Sequence, residues 1–173
     1  MTELDVREST GRGLGLFTKA PVRAGERVGK FELLREVRSF SELREDEGEE
    51  PDHCTMIDGR FFLVAVPERY LNHSCDPNVY ERFDSSGNGI VALRDIAAES
   101  ELTVDYLINN AGGDSWDCHC GAKRCRGRTG KSFFALPRAF QEEYAPLLAP
   151  WFVKAHAEKL RHLSIALPGN PSK

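Results

Sequence analysis

Three thiols packed into eight residues, Cys118-His119-Cys120-Gly121-Ala122-Lys123-Arg124-Cys125, constrain this chain more than any other feature. A close Cys-x-Cys pair, followed by a third cysteine after a glycine turn, lets one metal ion collect three thiolates from a single loop. Zinc prefers four tetrahedral ligands in a closed structural site, so a fourth donor has to arrive from elsewhere. His119, Cys54 and Cys75 are the candidates. His119 lies between two ligands, where its ring strains to point inward. Cys54 falls in a stretch that reads as strand, where a free cysteine usually acts as a small core hydrophobe. Cys75 follows His73-Ser74 in a turn before Asp76-Pro77 and is the better donor. The five cysteines are an odd number, and Met1-Thr2-Glu3-Leu4-Asp5 lacks the order of a secretory leader. A disulfide framework is therefore not expected, and the chain reads as intracellular, in the cytoplasm.

The 173 residues suit one domain with a short appendage, and 40% hydrophobic with 29% charged residues is the balance of a soluble globular chain. A net charge of -4 argues against a chain built wholly around nucleic acid. No apolar run approaches the roughly 20 residues of a membrane span. Short apolar stretches at 28–34, 61–66, 90–93 and 102–106 make the first two thirds β-rich. Asp58-Gly59, between 54–57 and 61–66, is a two-residue hairpin signal, because that turn needs positive φ. Residues 85–89 mark another exposed turn.

Acidic residues crowd 42–52, which reads as a solvated loop or frayed helix, with attraction of a basic substrate as the sharper reading. Beyond Gly130 the character changes. Residues 137–144 and 150–163 read as two helices with proline in the first turn, packed on the β-rich body. Residues 168–173 read as a frayed tail.

Gly11-Arg12-Gly13-Leu14-Gly15 fails as a dinucleotide loop, since the glycine spacing is wrong and no helix opens after it. Its glycines still allow close backbone approach to a ligand or a strand. Arg69-Tyr70-Leu71-Asn72-His73-Ser74-Cys75-Asp76-Pro77-Asn78 is dense in polar and rigid groups, more than turn chemistry requires. Some 30 residues later, Glu101-Leu102-Thr103-Val104-Asp105-Tyr106 reads as a strand ending in a tyrosine.

In this order, and over roughly residues 6 to 127, these pieces resemble the SET-domain protein lysine methyltransferases, in the compact form of bacterial members. The resemblance implies a mostly β fold with C-terminal helices. Several small curved sheets would surround a pseudoknot in which the strand near Tyr106 threads beneath the loop 72–78. It divides the chain into a SET domain at 1–108, a post-SET zinc-binding loop at 109–130 and a C-terminal helical extension with tail at 131–173. It assigns S-adenosylmethionine to Arg12, Gly13, Leu14, Gly15, Arg69, Tyr70, Asn72 and His73. Structural zinc falls to Cys75, Cys118, Cys120 and Cys125, and the crossing point of the methyl group to Tyr106.

The chemistry suits those residue types. The methyl donor is a sulfonium and the acceptor must be a neutral amine, although a free lysine has a pKa of about 10.4. A narrow desolvated channel beside the sulfonium disfavours the ammonium, and alignment of amine, methyl and sulfur supplies much of the rate. The expected acceptor is a lysine-bearing protein or peptide, with a basic histone-like or ribosomal tail favoured by the acidic segment. The rival reading is a catalytically silent, zinc-stabilised interaction module on the same scaffold. Val104 stands where many relatives carry Tyr or Phe, which leaves the product state open. His53, in a region where many relatives place Tyr, reads as a surface or core histidine. Lys123, Arg124, Arg126, Arg128 and Lys131 read as a solvated basic rim, with no aromatic interleaving to support nucleic acid as a partner.

Overall fold

The computed structural model describes residues 2–83, 85 and 87–167. The chain opens with an antiparallel hairpin, β1 (Leu4–Ser9) against β2 (Gly13–Thr18), in register from Leu4 opposite Thr18 to Ser9 opposite Gly13. Gly11 and Gly13 both sit at φ 73, a left-handed conformation that glycine adopts without a Cβ penalty. The glycine loop is therefore a hairpin tip that carries Arg12.

The apolar run 28–34 divides into β3 (Arg27–Lys30) and β4 (Leu33–Val37). Phe31, 3% exposed, is the corner between them. Its N–H donates to the Asn88 carbonyl at 3.3 Å, while the next carbonyl, of Glu32, accepts from Ala65 N–H at 2.9 Å. Adjacent residues thus bond to different sheets, and one run of sequence serves both. β4 pairs with β6 (Arg60–Val64), which pairs in turn with β5 (Cys54–Ile57). Asp58 at φ 52 and Gly59 at φ 74 make the two-residue turn between β5 and β6, as the sequence predicts.

The short β7 (Asn72–His73) precedes β8 (Val79–Arg82) and β9 (Gly89–Ala92), which complete the second three-stranded sheet in the order β3-β9-β8. β10 is only Thr103–Val104 and runs parallel to β7, with Thr103 opposite Asn72 and Val104 opposite His73. The loop after β7 grips the same segment. Ser74 N–H donates to Val104 O at 2.9 Å, and Asn78 N–H to Thr103 O at 3.1 Å. The Asn78 amide then donates to Glu101 O and accepts from Thr103 N–H, both at 2.8 Å. The 101–104 segment is thereby held under the 72–78 loop, and the fold is the expected set of small sheets with that strand threaded beneath. Tyr106 lies past the end of the strand rather than in it.

Leu16, Val28, Ile90, Leu102 and Leu107 are all 0% exposed and, with Val64 of β6 at 3%, knit these sheets into one core. The C-terminal part packs on that core as expected, through Phe133, Tyr144 and Phe152, each also 0% exposed. Full burial of each such side chain stabilises by about 1.5–3 kcal/mol. The first helix is α1 (Arg138–Tyr144). The single helix expected over 150–163 is two, α2 (Pro150–Ala155) and α3 (Ala157–Leu163). They break at His156, whose backbone leaves helical geometry (φ -118, ψ 24) while its ring packs 4.7 Å from that of Phe152. A ring anchored in the core outweighs continued helix propensity at one residue. Among the described residues no helix is long and apolar enough to cross a membrane. The expected tail at 168–173 and Ser86 of the expected 85–89 turn lie outside the described residues.

The acidic stretch 42–52 is neither a frayed helix nor evenly solvated. It folds as three short 3-10 turns, and Glu49, 3% exposed, is buried. Arg44 donates to Glu49 Oε1 at 2.8 Å, and Arg35 meets Oε2. The Arg44 guanidinium is the main reason the Glu49 carboxyl falls to about 2. One acid of the series is thus a structural clasp, and Glu45, Asp46, Glu50 and Asp52 remain exposed.

Candidate functional site

Glu101 organises the first part of the site. Ser9 Oγ and Asn72 Nδ2 donate to its Oε1 at 2.8 and 2.9 Å, and Arg12 Nη2 to its Oε2 at 2.8 Å. Arg12 also reaches the His73 carbonyl at 3.3 Å, and Asn72 Nδ2 the Leu14 carbonyl at 2.9 Å. These bonds tie the hairpin tip to β7. Gly15 shows how tight the junction is: a Cβ there would lie 2.6 Å from Glu101 Oε1 and 3.0 Å from Asn72 Nδ2. At Gly15 the missing side chain serves this packing, whereas Gly13 and Leu14 are exposed at the hairpin tip, with open space where a side chain at Gly13 would stand.

The second part is aromatic. Tyr106 donates its hydroxyl to the Leu71 carbonyl at 2.9 Å and its backbone N–H to His73 Nδ1 at 3.2 Å. The residue is 43% exposed, yet its hydroxyl points inward, and burial pushes the phenol well above its ordinary value. At neutral pH it is a protonated donor, not a base. Trp116 completes a three-ring cluster, 5.9 Å from the His73 ring and 6.3 Å from Tyr106, with His73 and Tyr106 5.3 Å apart. Trp116 is held there by a narrow ribbon: Thr129 N–H donates to its carbonyl at 2.9 Å and Cys118 N–H to Gly127 O at 2.9 Å. Leu14, Tyr106 and Trp116 are 43, 43 and 40% exposed. An exposed apolar surface rimmed by polar groups is the usual mark of a ligand-binding face.

The third part is the cysteine cluster. The sulfurs of Cys75, Cys118, Cys120 and Cys125 all lie within 4.8 Å of one another. Tetrahedral zinc with sulfur at about 2.3 Å requires sulfurs roughly 3.8 Å apart, and the Cys75 and Cys118 sulfurs are 3.7 Å apart. The donor set fits zinc. Backbone N–H groups already point at these sulfurs, from Arg126 to Cys75 and from Cys75 to Cys120, each at 3.5 Å. Burial pushes the Cys75 and Cys118 thiols up, so four thiolates here need a cation among them. Cys54, a half-buried residue of β5, stands apart, in line with its reading as a packing residue.

His73 connects the second and third parts. Burial pushes its imidazole down to about 4, so it is neutral. Its Nδ1 accepts from Tyr106, which makes Nε2 the protonated nitrogen facing the Cys75 sulfur at 3.5 Å. The 3.7 Å approach of Nδ1 to Asp105 is accordingly not an ion pair.

The residues singled out from the sequence fall into two groups. Arg12, Leu14, Asn72, His73 and Tyr106 share one bonded network with the cysteines, Gly15 packs against it and Gly13 stands at its exposed tip. Arg69 and Tyr70 lie on the turn just before β7 but outside that network. Arg69 donates to the Val64 carbonyl at 3.1 Å, and the Tyr70 ring packs 5.3 Å from that of His53. His53 is half-buried, and burial lowers its pKa.

Glu101, Asp105 and Trp116 were not singled out as site residues, and Arg126 was read only as part of the basic rim. Glu101 and Asp105 lie in the stretch that ends at Tyr106, and alternation along a strand could have marked them as inward carboxylates in need of partners. Nothing local marks Trp116. The basic rim requires correction. Arg126 is buried against Asp105, Arg124 pairs with Glu143 at 2.6 Å, and Arg128 with Asp117 at 2.7 Å. The three arginines therefore form specific contacts, while Lys123 and Lys131 keep the exposure expected of a solvated rim.

Comparisons with known proteins agree with this arrangement. The chain matches the SET domain family over residues 13–107. The human protein named "Histone-lysine N-methyltransferase, H3 lysine-36 specific" is 31% identical over 153 residues, covering 82% of this chain and 6% of that protein. A Plasmodium falciparum protein named "Putative histone-lysine N-methyltransferase 1" is 31% identical over 140 residues, 72% of this chain and 2% of its own length. The chain thus spans a small fraction of these much longer relatives. The solved structure of KRYPTONITE in complex with mCHH DNA, H3(1-15) peptide and SAH shares the fold at TM-score 0.52 and 23% identity, over 74% of this chain and 29% of that one. With the family matched across more than half of its length, this chain belongs to the SET domain family.

Proposed function

We propose that the chain is an S-adenosylmethionine-dependent protein-lysine N-methyltransferase whose acceptor is a lysine of a protein or peptide, with basic histone-like tails as the favoured class. The observation that carries this reading is a protonated Tyr106 hydroxyl seated on the Leu71 carbonyl, with the Tyr106 N–H on the His73 ring, next to the Asn72 amide that holds the hairpin tip at Leu14. The relatives' names, which specify histone-lysine methyl transfer, support it.

S-adenosylmethionine, when bound, supplies a methyl group on a cationic sulfur. Gly13 and Leu14 stand exposed at the hairpin tip that would meet it, Tyr70 and Trp116 offer ring faces, and Arg12, Gly15, Arg69, Asn72 and His73 frame the site. Asn72 and the His73 ring act indirectly, because their polar atoms already hold Leu14, Glu101 and Tyr106 in place. Tyr106 orients the acceptor amine and, being a poor base, does not remove its proton. Zinc held by Cys75, Cys118, Cys120 and Cys125 would fix the loop that carries Trp116. In this scheme residues 1–108 perform the transfer, 109–130 close over it, and 131–173 support the body.

The test is transfer of radiolabelled methyl to purified histone H3 and to a lysate of the source cells, followed by mapping of the modified residues. Label on lysine side chains is the expected result. Absence of label from folded, zinc-loaded protein would leave the silent interaction module in its place.

A further inference from the structure

Glu81 is a carboxylate that neither the fold nor the proposed chemistry accounts for. It lies in β8 two residues from Val79, 0% exposed, and two from Phe83, 8% exposed. Alternation along a strand therefore directs its side chain to the same face as those core residues. Its cross-strand neighbour in β9 is Ile90, also 0% exposed. Glu81 itself is half-buried, and burial pushes its carboxyl up to about 7. Among the described residues its carboxylate makes no hydrogen bond or ion pair with any donor or cation. Its oxygens are not among the side-chain atoms sealed from solvent, so this half-buried carboxylate without a partner stays within reach of an incoming cation.

The surroundings identify where that cation arrives. β8 packs beside β10, whose exit leads directly to Tyr106. The charges acting on the Tyr106 hydroxyl are Glu81, Asp52, Arg12 and Glu101. Arg12 and Glu101 are paired with each other at 2.8 Å and largely cancel. What remains is negative: Glu81 on the core side of the strand, and Asp52 exposed at the rim.

We propose that Glu81 is a specificity-determining residue of the acceptor site, an inward carboxylate on β8 that pairs with the ammonium head of the incoming lysine. This rests on the methyl-transfer reading above and extends it to how the acceptor is recognised. The pair need not trap the charged amine. Because burial draws Glu81 toward its neutral form, one proton can pass from nitrogen to a carboxylate oxygen. The N–H electron pair then stays on nitrogen, free to attack the methyl group.

The test compares binding of an H3(1-15) peptide with that of the same peptide carrying norleucine at every lysine, measured on the full zinc-loaded chain with S-adenosylhomocysteine. The wild type should prefer the lysine peptide by about tenfold, the size of one charge-assisted hydrogen bond. Glu81→Gln should bind both peptides alike, with the norleucine peptide bound as in the wild type, and Glu81→Asp should keep part of the preference. In turnover with histone H3, Glu81→Gln should raise KM more than it lowers kcat. A preference for lysine retained in full by Glu81→Gln, or absent from the wild type, would overturn the inference. A wild type that labels no lysine at all overturns the methyl-transfer reading and this role with it. Turnover that Glu81→Gln leaves unchanged overturns this role alone.

Discussion

The Asp105 carboxylate and the Arg126 guanidinium meet at two points, 2.6 and 3.0 Å apart, with side-chain exposures of 0 and 9%. One partner precedes Tyr106 and the other follows Cys125, so this buried pair joins the segment leading to Tyr106 to the cysteine loop. Arg126 adds a backbone N–H to the Cys75 sulfur at 3.5 Å, from the other side of the same junction. Removing one member of a buried pair strands a desolvated charge, at a cost of roughly 3–5 kcal/mol. Asp105→Asn and Arg126→Met should each lose about that much in urea denaturation, while a double substitution should lose less than the sum. Single variants within about 1 kcal/mol of wild type would show that the pair does not hold the two segments together.

Tyr106→Phe removes one hydroxyl and its bond to the Leu71 carbonyl. Stability should fall by about 1 kcal/mol, the net worth of one hydrogen bond. Turnover should fall by tenfold or more, since misalignment of reacting groups is costly. Affinity for S-adenosylmethionine should change by less than about threefold, because the ring and its contacts with His73 and Trp116 remain. Turnover equal to wild type would remove Tyr106 from the transfer step.

Metal removal separates the loop from the sheets. The cysteine loop is closed on itself by few backbone bonds, whereas the sheets share a continuous apolar core. Chelation should therefore abolish methyl transfer while leaving most of the far-ultraviolet circular dichroism intact. Released metal, measured by a colorimetric zinc indicator, should approach one ion per chain, and Cys118→Ser should reproduce the loss. Global unfolding on chelation would mean that the metal holds the whole fold, not just its closing loop.

Glu81 predicts a pH dependence of stability in the ligand-free protein. Its folded pKa of about 7 lies above the ordinary value of 4.5, so the folded chain holds this proton more tightly than the unfolded one. The resulting stability is complete below about pH 4.5 and is lost as pH rises through about 7. The shift comes from burial alone, with no neighbouring charge to offset it, and Glu81 in turn helps to push up the Tyr106 phenol. Glu81→Gln should flatten the curve and raise Tm at about pH 8 by roughly 4–8 °C, about 2 kcal/mol in a chain of this size. Parallel wild-type and variant Tm curves between about pH 5 and 8 would show that Glu81 is solvated like any surface acid.

The sequence by itself determined the local chemistry. Positive φ at Asp58 and Gly59 follows from the demands of a two-residue turn, and three cysteines on one loop follow from the demands of a metal. Cys75 as the better fourth donor was also legible, because a turn after His73 presents its thiol whereas Cys54 reads as a strand residue. Proximity in sequence decides such features. It failed where a residue's environment depends on distant chain. Arg126 read as rim because nothing nearby foretells that Asp105, 21 residues away, needs its charge. The helix expected over 150–163 breaks at His156 because core packing overrides propensity. The acidic stretch looked uniform until Arg35 and Arg44 selected Glu49 from it. Glu81 belongs to this second class. Only the fold, by burying its face of β8 and bringing Tyr106 within electrostatic reach, turns an ordinary strand glutamate into a carboxylate that lacks a partner. Charge in a folded protein takes its meaning from desolvation and from what lies opposite, and tertiary structure sets both.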